Sequence, residues 1–299
     1  MQRKSHIDTF GAVALVVFAL HLGFNQVVIK VTNGGFAPVF AAGLRSLGAV
    51  AVLLLWMRLR GIGFQVPRRA MLPGLISGGL FALEFMCLFS ALDLTTVSRA
   101  SVILYSMPVW LAIASAVLIP GEALTPVRAV GLLLAMGGVA LALLGRVDVG
   151  AGLLGDLLAL VAALCWAGIA LCVKITPLSE VPPAQQLMFQ VLISAPLLLL
   201  ASLFFGDFIR DVQPIHVAGM LFQIVLVASL GFLAWFWLMS IYPASSVASF
   251  SFLSPVFAVI LGWAVLGEDV GFRVWGALGL VAAGIYLINR RPRVAAVRI

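Results

Sequence analysis

Residues 101–122, SVILYSMPVWLAIASAVLIPGE, decide how the rest of the chain is read, because a second version returns at residues 249–268, SFSFLSPVFAVILGWAVLGE. Each copy is an apolar stretch of helix length with a proline inside it, Pro108 before Val109 and Pro255 before Val256. Each ends on a glycine and a glutamate, Gly121-Glu122 and Gly267-Glu268, the second copy being one residue shorter between proline and glutamate. Self-similarity at such a spacing marks a duplicated unit, so every residue is weighed against its counterpart.

Composition fixes the solvent. Of the 299 residues, 63% are hydrophobic and only 10% are charged, and mean hydropathy is +1.19. That is more apolar surface than a soluble core of this size can hide. Apolar runs of about 17 to 25 residues recur from end to end, the length a helix needs to cross roughly 30 Å of hydrocarbon. The net charge of +7 does not indicate a nucleic-acid partner, since Lys and Arg sit at segment ends and tails with no aromatics interleaved. Cys87, Cys165 and Cys172 lie inside apolar runs without the spacing of a zinc site or redox pair. Arg3 and Lys4 ahead of an apolar run imitate a secretory signal, but that run is similar to an internal stretch around Trp166 that could not be cleaved. It is therefore taken as a first membrane helix.

The expected fold class is all-α integral membrane, with ten transmembrane helices in two inverted five-helix repeats. Gly, Pro and charges break the chain into helices near 10–31, 38–57, 70–92, 98–119 and 127–144, then 153–173, 183–205, 216–240, 245–266 and 272–288. The repeats divide as residues 1–147 and 148–299. Lys30 and Lys174 end corresponding helices, and Pro38 and Pro183 open corresponding ones. With both termini in the cytoplasm, twelve Lys and Arg face inward and five outward, with Arg45 inside a helix, as the positive-inside rule requires. Five crossings per half is an odd number, so the second half enters the membrane from the other side. Such inverted halves allow two nearly equivalent packings around one midplane site.

The chain resembles the EamA-type branch of the drug/metabolite transporter superfamily over nearly its whole length. The resemblance rests on Trp166 with Lys174, on residues 106–109 (SMPV) leading to Gly121-Glu122, and on residues 254–256 (SPV) leading to Gly267-Glu268. It implies export of small metabolites, amino acids or toxic organic cations across a bacterial inner membrane, through a cavity between the halves. Within the family the pattern is most similar to the aromatic amino acid exporters. His21, Gly23 and Asn25 depart from it, standing where a tryptophan-containing stretch is usual.

An ionisable side chain at a helix centre costs about 2.5–3.5 kcal/mol on insertion scales, so each one needs a partner or a wet cavity. Glu84 lies deep in the third helix, in FALEFMCLF, where the other half has Gly231. It either meets a cationic or amino group or a proton, or serves as a structural partner. Arg45 has two readings besides pairing with Glu84: contact with a substrate carboxylate, or snorkelling to the interface. His21 and Asn25, four apart and so on one helix face, either line the cavity or join helices by hydrogen bonds. The other half carries aromatics instead, Trp166 in its first helix and Trp235, Phe236 and Trp237 in its third. A polar face opposite an aromatic one suits an amphipathic molecule, although Trp is also common at membrane interfaces. Tyr105 and Phe252, each three residues before a proline, are candidates for closing the two ends of the cavity. Pro108 and Pro255 cannot donate to the carbonyls of Leu104 and Ser251, so kinks that act as hinges, or as static bends, are expected there. The expected partners are a small-molecule substrate and the lipid bilayer, with no cofactor or metal, in a monomer or homodimer. No nucleophile with a base and no phosphate loop points to an enzyme.

Overall fold

The computed structural model describes residues 7–120, 125–144, 152–242, 250 and 253–289. Among these residues the chain is helical throughout, apart from one backbone bridge between Phe36 and Ile209. The first half contains α1 (Thr9–Thr32), α2 (Pro38–Leu59), α3 (Arg68–Leu94), α4 (Val97–Leu104), α5 (Met107–Leu118) and α6 (Pro126–Leu144). The second contains α7 (Leu153–Ile175), α8 (Pro183–Ser202), α9 (Pro214–Leu221), α10 (Phe232–Ile241), α11 (Leu253–Leu266) and α12 (Phe272–Asn289). A π-helical segment, Phe222–Gly231, joins α9 to α10 without a break, making one rod over residues 214–241.

Local chemistry accounts for where these helices begin. Pro38, Pro183 and Pro214 stand at the first positions of α2, α8 and α9, where the missing N–H would have had no helical partner. The Asp8 carboxylate accepts from the Gly11 N–H at 2.8 Å and the Thr96 hydroxyl from the Arg99 N–H at 3.2 Å, capping α1 and α4. Among the described residues eight helical stretches are long and apolar enough to cross a membrane, α4 and α5 together forming one of them (Val97–Leu118). Leu253–Leu266 and Phe272–Ile288 are shorter apolar helices.

Two expected helices differ in the structure. The stretch around Pro108 does not bend as one helix: α4 stops at Leu104, Tyr105 and Ser106 turn, and α5 starts at Met107. Pro108 has no N–H to offer the Leu104 carbonyl, and the Ser106 N–H and hydroxyl both donate to the Ile103 carbonyl, at 3.1 and 2.6 Å. The expected helix over 216–240 contains the π segment, whose wider turns an apolar pattern does not distinguish from α. Gly121-Glu122, residues 251–252 with Phe252, and the tail from Arg290 lie outside the described residues.

Packing sorts the helices into groups. One contains α1, the rod 214–241 and α11; the other contains α7, α3, α4 and α5. Between them α2 lies along α8, and α6 pairs with α12 at the periphery. Outward faces carry large apolar side chains, such as Leu133 and Val117, which are 73% and 78% exposed and suited to hydrocarbon. Inward polar groups join helices directly: Gln190 to Ser77 at 2.9 Å, Ser194 to Ser46 at 3.1 Å and Gln223 to Thr32 at 2.9 Å.

Helices α6 and α12 approach through bare backbone, since a Cβ on Gly284 would fall 2.5 Å from the Gly131 carbonyl oxygen and 2.6 Å from the Ala135 Cβ. Gly284→Leu is expected to destabilise the folded protein by about 1–3 kcal/mol through overpacking, read as a lower thermal midpoint in detergent. Gly279→Ala, which meets nothing within 4 Å, is expected to leave that midpoint unchanged.

Candidate functional site

A line of polar groups crosses the apolar interior from α2 to α11. Arg45 on α2 is 1% exposed, and its guanidinium carbon lies 3.6 Å from the ring centroid of Phe85 and 5.3 Å from that of Phe89. Aromatic faces solvate the cation there, but Nε and Nη2 have no hydrogen-bond acceptor. Glu84 on α3 is buried beside it, and the two attract each other without closing a salt bridge. Arg45 therefore does not snorkel: its charge stays within the bundle. Cys165 on α7 borders Glu84, and the next residue, Trp166, meets Tyr105 edge to face with centroids 5.8 Å apart. Tyr105 occupies the turn between α4 and α5, the break that Pro108 imposes, and its hydroxyl faces Ser254 on α11 and Gln26 on α1.

Orphaned polar atoms concentrate along this line. Asn25 Oδ1 and Ser101 Oγ are buried without partners, as are the two Arg45 nitrogens, while Gln26 and Ser254 have the Tyr105 hydroxyl as their neighbour. An unsatisfied buried polar group costs about 1–3 kcal/mol, so so many together are what a site looks like before a polar ligand or water completes it.

The sequence-derived residues do not all meet. His21 is half-buried against the rod, its Nε2 3.0 Å from the Leu226 carbonyl of the π segment and its ring beside Phe222 and Phe18. Asn25 is buried one turn further along α1. Trp237 is 42% exposed and packs edge-on against Phe10, away from the Tyr105–Trp166 pair. Pro255 is buried near the start of α11, beside Ser254. Phe252 lies outside the described residues.

Charged groups of greater structural weight went unremarked in the sequence. Arg99, near the start of the helix expected over 98–119, is 5% exposed and forms a salt bridge to the fully buried Asp156, Nη2 to Oδ2 2.5 Å. Asp156 also accepts from the Thr95 hydroxyl at 2.8 Å, and Arg99 donates to the Ala142 carbonyl, so α4, α6 and α7 are joined at one point. Arg and Asp at 99 and 156 carry no local pattern linking them, so only the three-dimensional approach reveals the pair. At the same end Arg210 chelates Asp93 at 2.8 and 2.9 Å, and those hydrogen bonds hold its pKa above the ordinary arginine value. Among the described residues no group of three or more His, Cys, Asp or Glu is placed to hold a metal ion.

Apolar helices of spanning length, lipid-suited outer faces and a line of polar groups inside the bundle define a multi-pass membrane protein of the transporter class. The profile of the EamA-like transporter family matches residues 9–144 and again 153–290, and the chain belongs to that family. It is 26% identical over 283 residues to the uncharacterized transporter YoaV of Bacillus subtilis (strain 168), covering 91% of this chain and 94% of that one. It is 25% identical over 288 residues to YvbV, an uncharacterized transporter of the same organism, covering 94% and 92%. A solved structure titled "Crystal structure of protein" shares the fold, with a TM-score of 0.65 at 23% identity, covering 94% of this chain and 98% of that chain.

Proposed function

We propose that this transporter exports small amphipathic metabolites, amino acids foremost and aromatic ones among them, across a bacterial inner membrane by alternating access. The observation that carries the reading is the interior line itself: a carboxylate, a guanidinium with two unpaired nitrogens and an aromatic pair, all inside an apolar bundle. Glu84 receives the ammonium, Arg45 the carboxylate, and Tyr105 with Trp166 the apolar body, while His21 and Asn25 complete the candidate set. Whether Glu84 also carries a proton in the cycle is decided by exchange with and without a pH gradient.

Ten crossings, in halves 1–147 and 148–299 of opposite orientation, underlie the mechanism. Support comes from the helix pairing: exchanging the halves turns α1 on α11 into α7 on α4 and α5, turns α1 on the rod into α7 on α3, and maps α2–α8 and α6–α12 onto themselves. The family profile matching once in each half agrees with it. Pro108 and Pro255 act as paired hinges, and both termini lie in the cytoplasm.

Purified protein in liposomes, offered amino acids and organic cations, tests the substrate class. Trp166→Ala is expected to raise the half-saturating concentration of an aromatic amino acid by about tenfold and that of alanine much less, because it removes ring contact from the body alone. Equal effects on both would take Trp166 out of recognition.

A further inference from the structure

The corner between α3 and α4 is held from outside its own helix group at both of its helix ends. The Lys30 ammonium, from the end of α1, donates to the carbonyls of Leu92 at 2.9 Å and Thr95 at 2.7 Å, where α3 terminates. The Glu268 carboxylate, just past α11, accepts from the backbone N–H groups of Val97 at 2.6 Å and Ser98 at 3.0 Å, where α4 begins, and from the Ser98 hydroxyl at 2.7 Å. A cation on a helix C-terminus and an anion on a helix N-terminus are the two favourable placements against the helix dipole. Asn33 adds a third link by donating to the Phe89 carbonyl at 2.8 Å. Gly267, at φ 66°, turns the chain after α11, and the Glu268 N–H returns to the Gly262 carbonyl at 3.1 Å, which aims the carboxylate at the corner.

Apart from that turn, these contacts join the α1–α11 group to the α3–α4–α7 group, and all lie at the same end of the bundle. At the other end Lys174, the counterpart of Lys30, donates to Ser115 at 3.4 Å, a partner on α5 within its own group.

We infer that Lys30 and Glu268 form a releasable gate, clamping the α3–α4 corner to close the Lys30 end of the translocation path and letting go when that end opens. The inference rests on the alternating-access reading, in which the Lys30 end is the outer one. The dipole caps suit a switch because they join separate groups near the ends of their helices, where Lys30 is only part-buried and parting of the groups would let water replace each cap, whereas the Arg99–Asp156 pair is sealed inside one group and moves with it.

Solvent access behind the clamp tests this without knowledge of the substrate. Ser101, one turn beyond Ser98 on α4, is fully buried. In full-length protein in liposomes, with Cys87, Cys165 and Cys172 replaced by serine, Ser101→Cys is labelled with a membrane-impermeant maleimide applied from the Lys30 side. Adding Glu268→Ala or Lys30→Gln is expected to raise the labelling rate at least about fivefold, because each removes one charged cap. Unchanged labelling in variants that remain monodisperse would show a static brace and overturn the gate. If Glu268→Ala does not fold, Lys30→Gln and Ser98→Ala supply the same reading. Faster labelling in a protein that moves no substrate would keep the gate and reject the transport reading, while transport with unchanged labelling would do the reverse.

Discussion

Glu84→Gln is expected to slow substrate exchange in liposomes by at least about tenfold, since it removes the one carboxylate on the interior line, and a buried charged hydrogen bond contributes more than a tenfold factor. By itself that result would not separate recognition from folding. Glu84→Gln also leaves Arg45 buried without a compensating charge, a situation that typically costs about 3–5 kcal/mol. The double variant Arg45→Gln/Glu84→Gln removes both charges, and replacing a buried pair with neutral groups is often neutral or stabilising. Its thermal midpoint is therefore expected to return to at least the parent value while exchange stays slowed by at least about tenfold. A double variant that is stable and still exchanges amino acids at the parent rate would assign the pair to structure alone.

The largest loss of stability is expected from Asp156→Ala. Asp156 is fully buried, and it accepts from Arg99 through Nε and Nη2 as well as from the Thr95 hydroxyl. Removing it strands a guanidinium among α4, α6 and α7, at a cost of about 3–5 kcal/mol. The expected readout is a strongly lowered midpoint in detergent, with Asp156→Asn recovering part of it through the neutral hydrogen bonds. Because the pair belongs to one helix group, variants that fold are expected to leave the Ser101→Cys labelling rate near the parent value, in contrast to Glu268→Ala. The contrast separates a brace inside a moving body from a clamp between bodies.

How far these features could be read beforehand follows from the range of the forces involved. Membrane crossing, helix placement and family membership are carried by long apolar runs and by a repeated motif, signals that sum over many residues. The burial of Arg45 and Glu84 could be anticipated because charge is so rare in those runs that each instance stands out. Tyr105 and Trp166 were separate candidates for the cavity, and their edge-to-face contact appears only in the structure. Arg99 and Asp156 were hidden for the opposite reason: both sit near helix ends, where charge is ordinary, and 57 residues separate them. Glu268 was noticed as part of a motif, but its role as a cap on α4 depends on the turn at Gly267 and on a helix that begins 171 residues earlier. Trp237 shows the ambiguity of aromatics in membrane helices, where a ring among apolar neighbours fits a cavity or the lipid face equally well, and the structure sets it outward. Pro108 gives a break where a kink was expected, because Tyr105 and Ser106 find alternative hydrogen bonds that let the helix end rather than bend.

Counterflow in liposomes tests the central claim most directly. Vesicles holding this protein, loaded with unlabelled phenylalanine and diluted into a trace of labelled phenylalanine, are expected to accumulate label transiently above equilibrium, saturably, and to lose that overshoot with Arg45→Gln/Glu84→Gln. A carrier with an alternately exposed site must show the overshoot, since outward-moving substrate returns the site to the labelled side. Label that only equilibrates, at a rate proportional to concentration and indifferent to the two substitutions, would contradict the account.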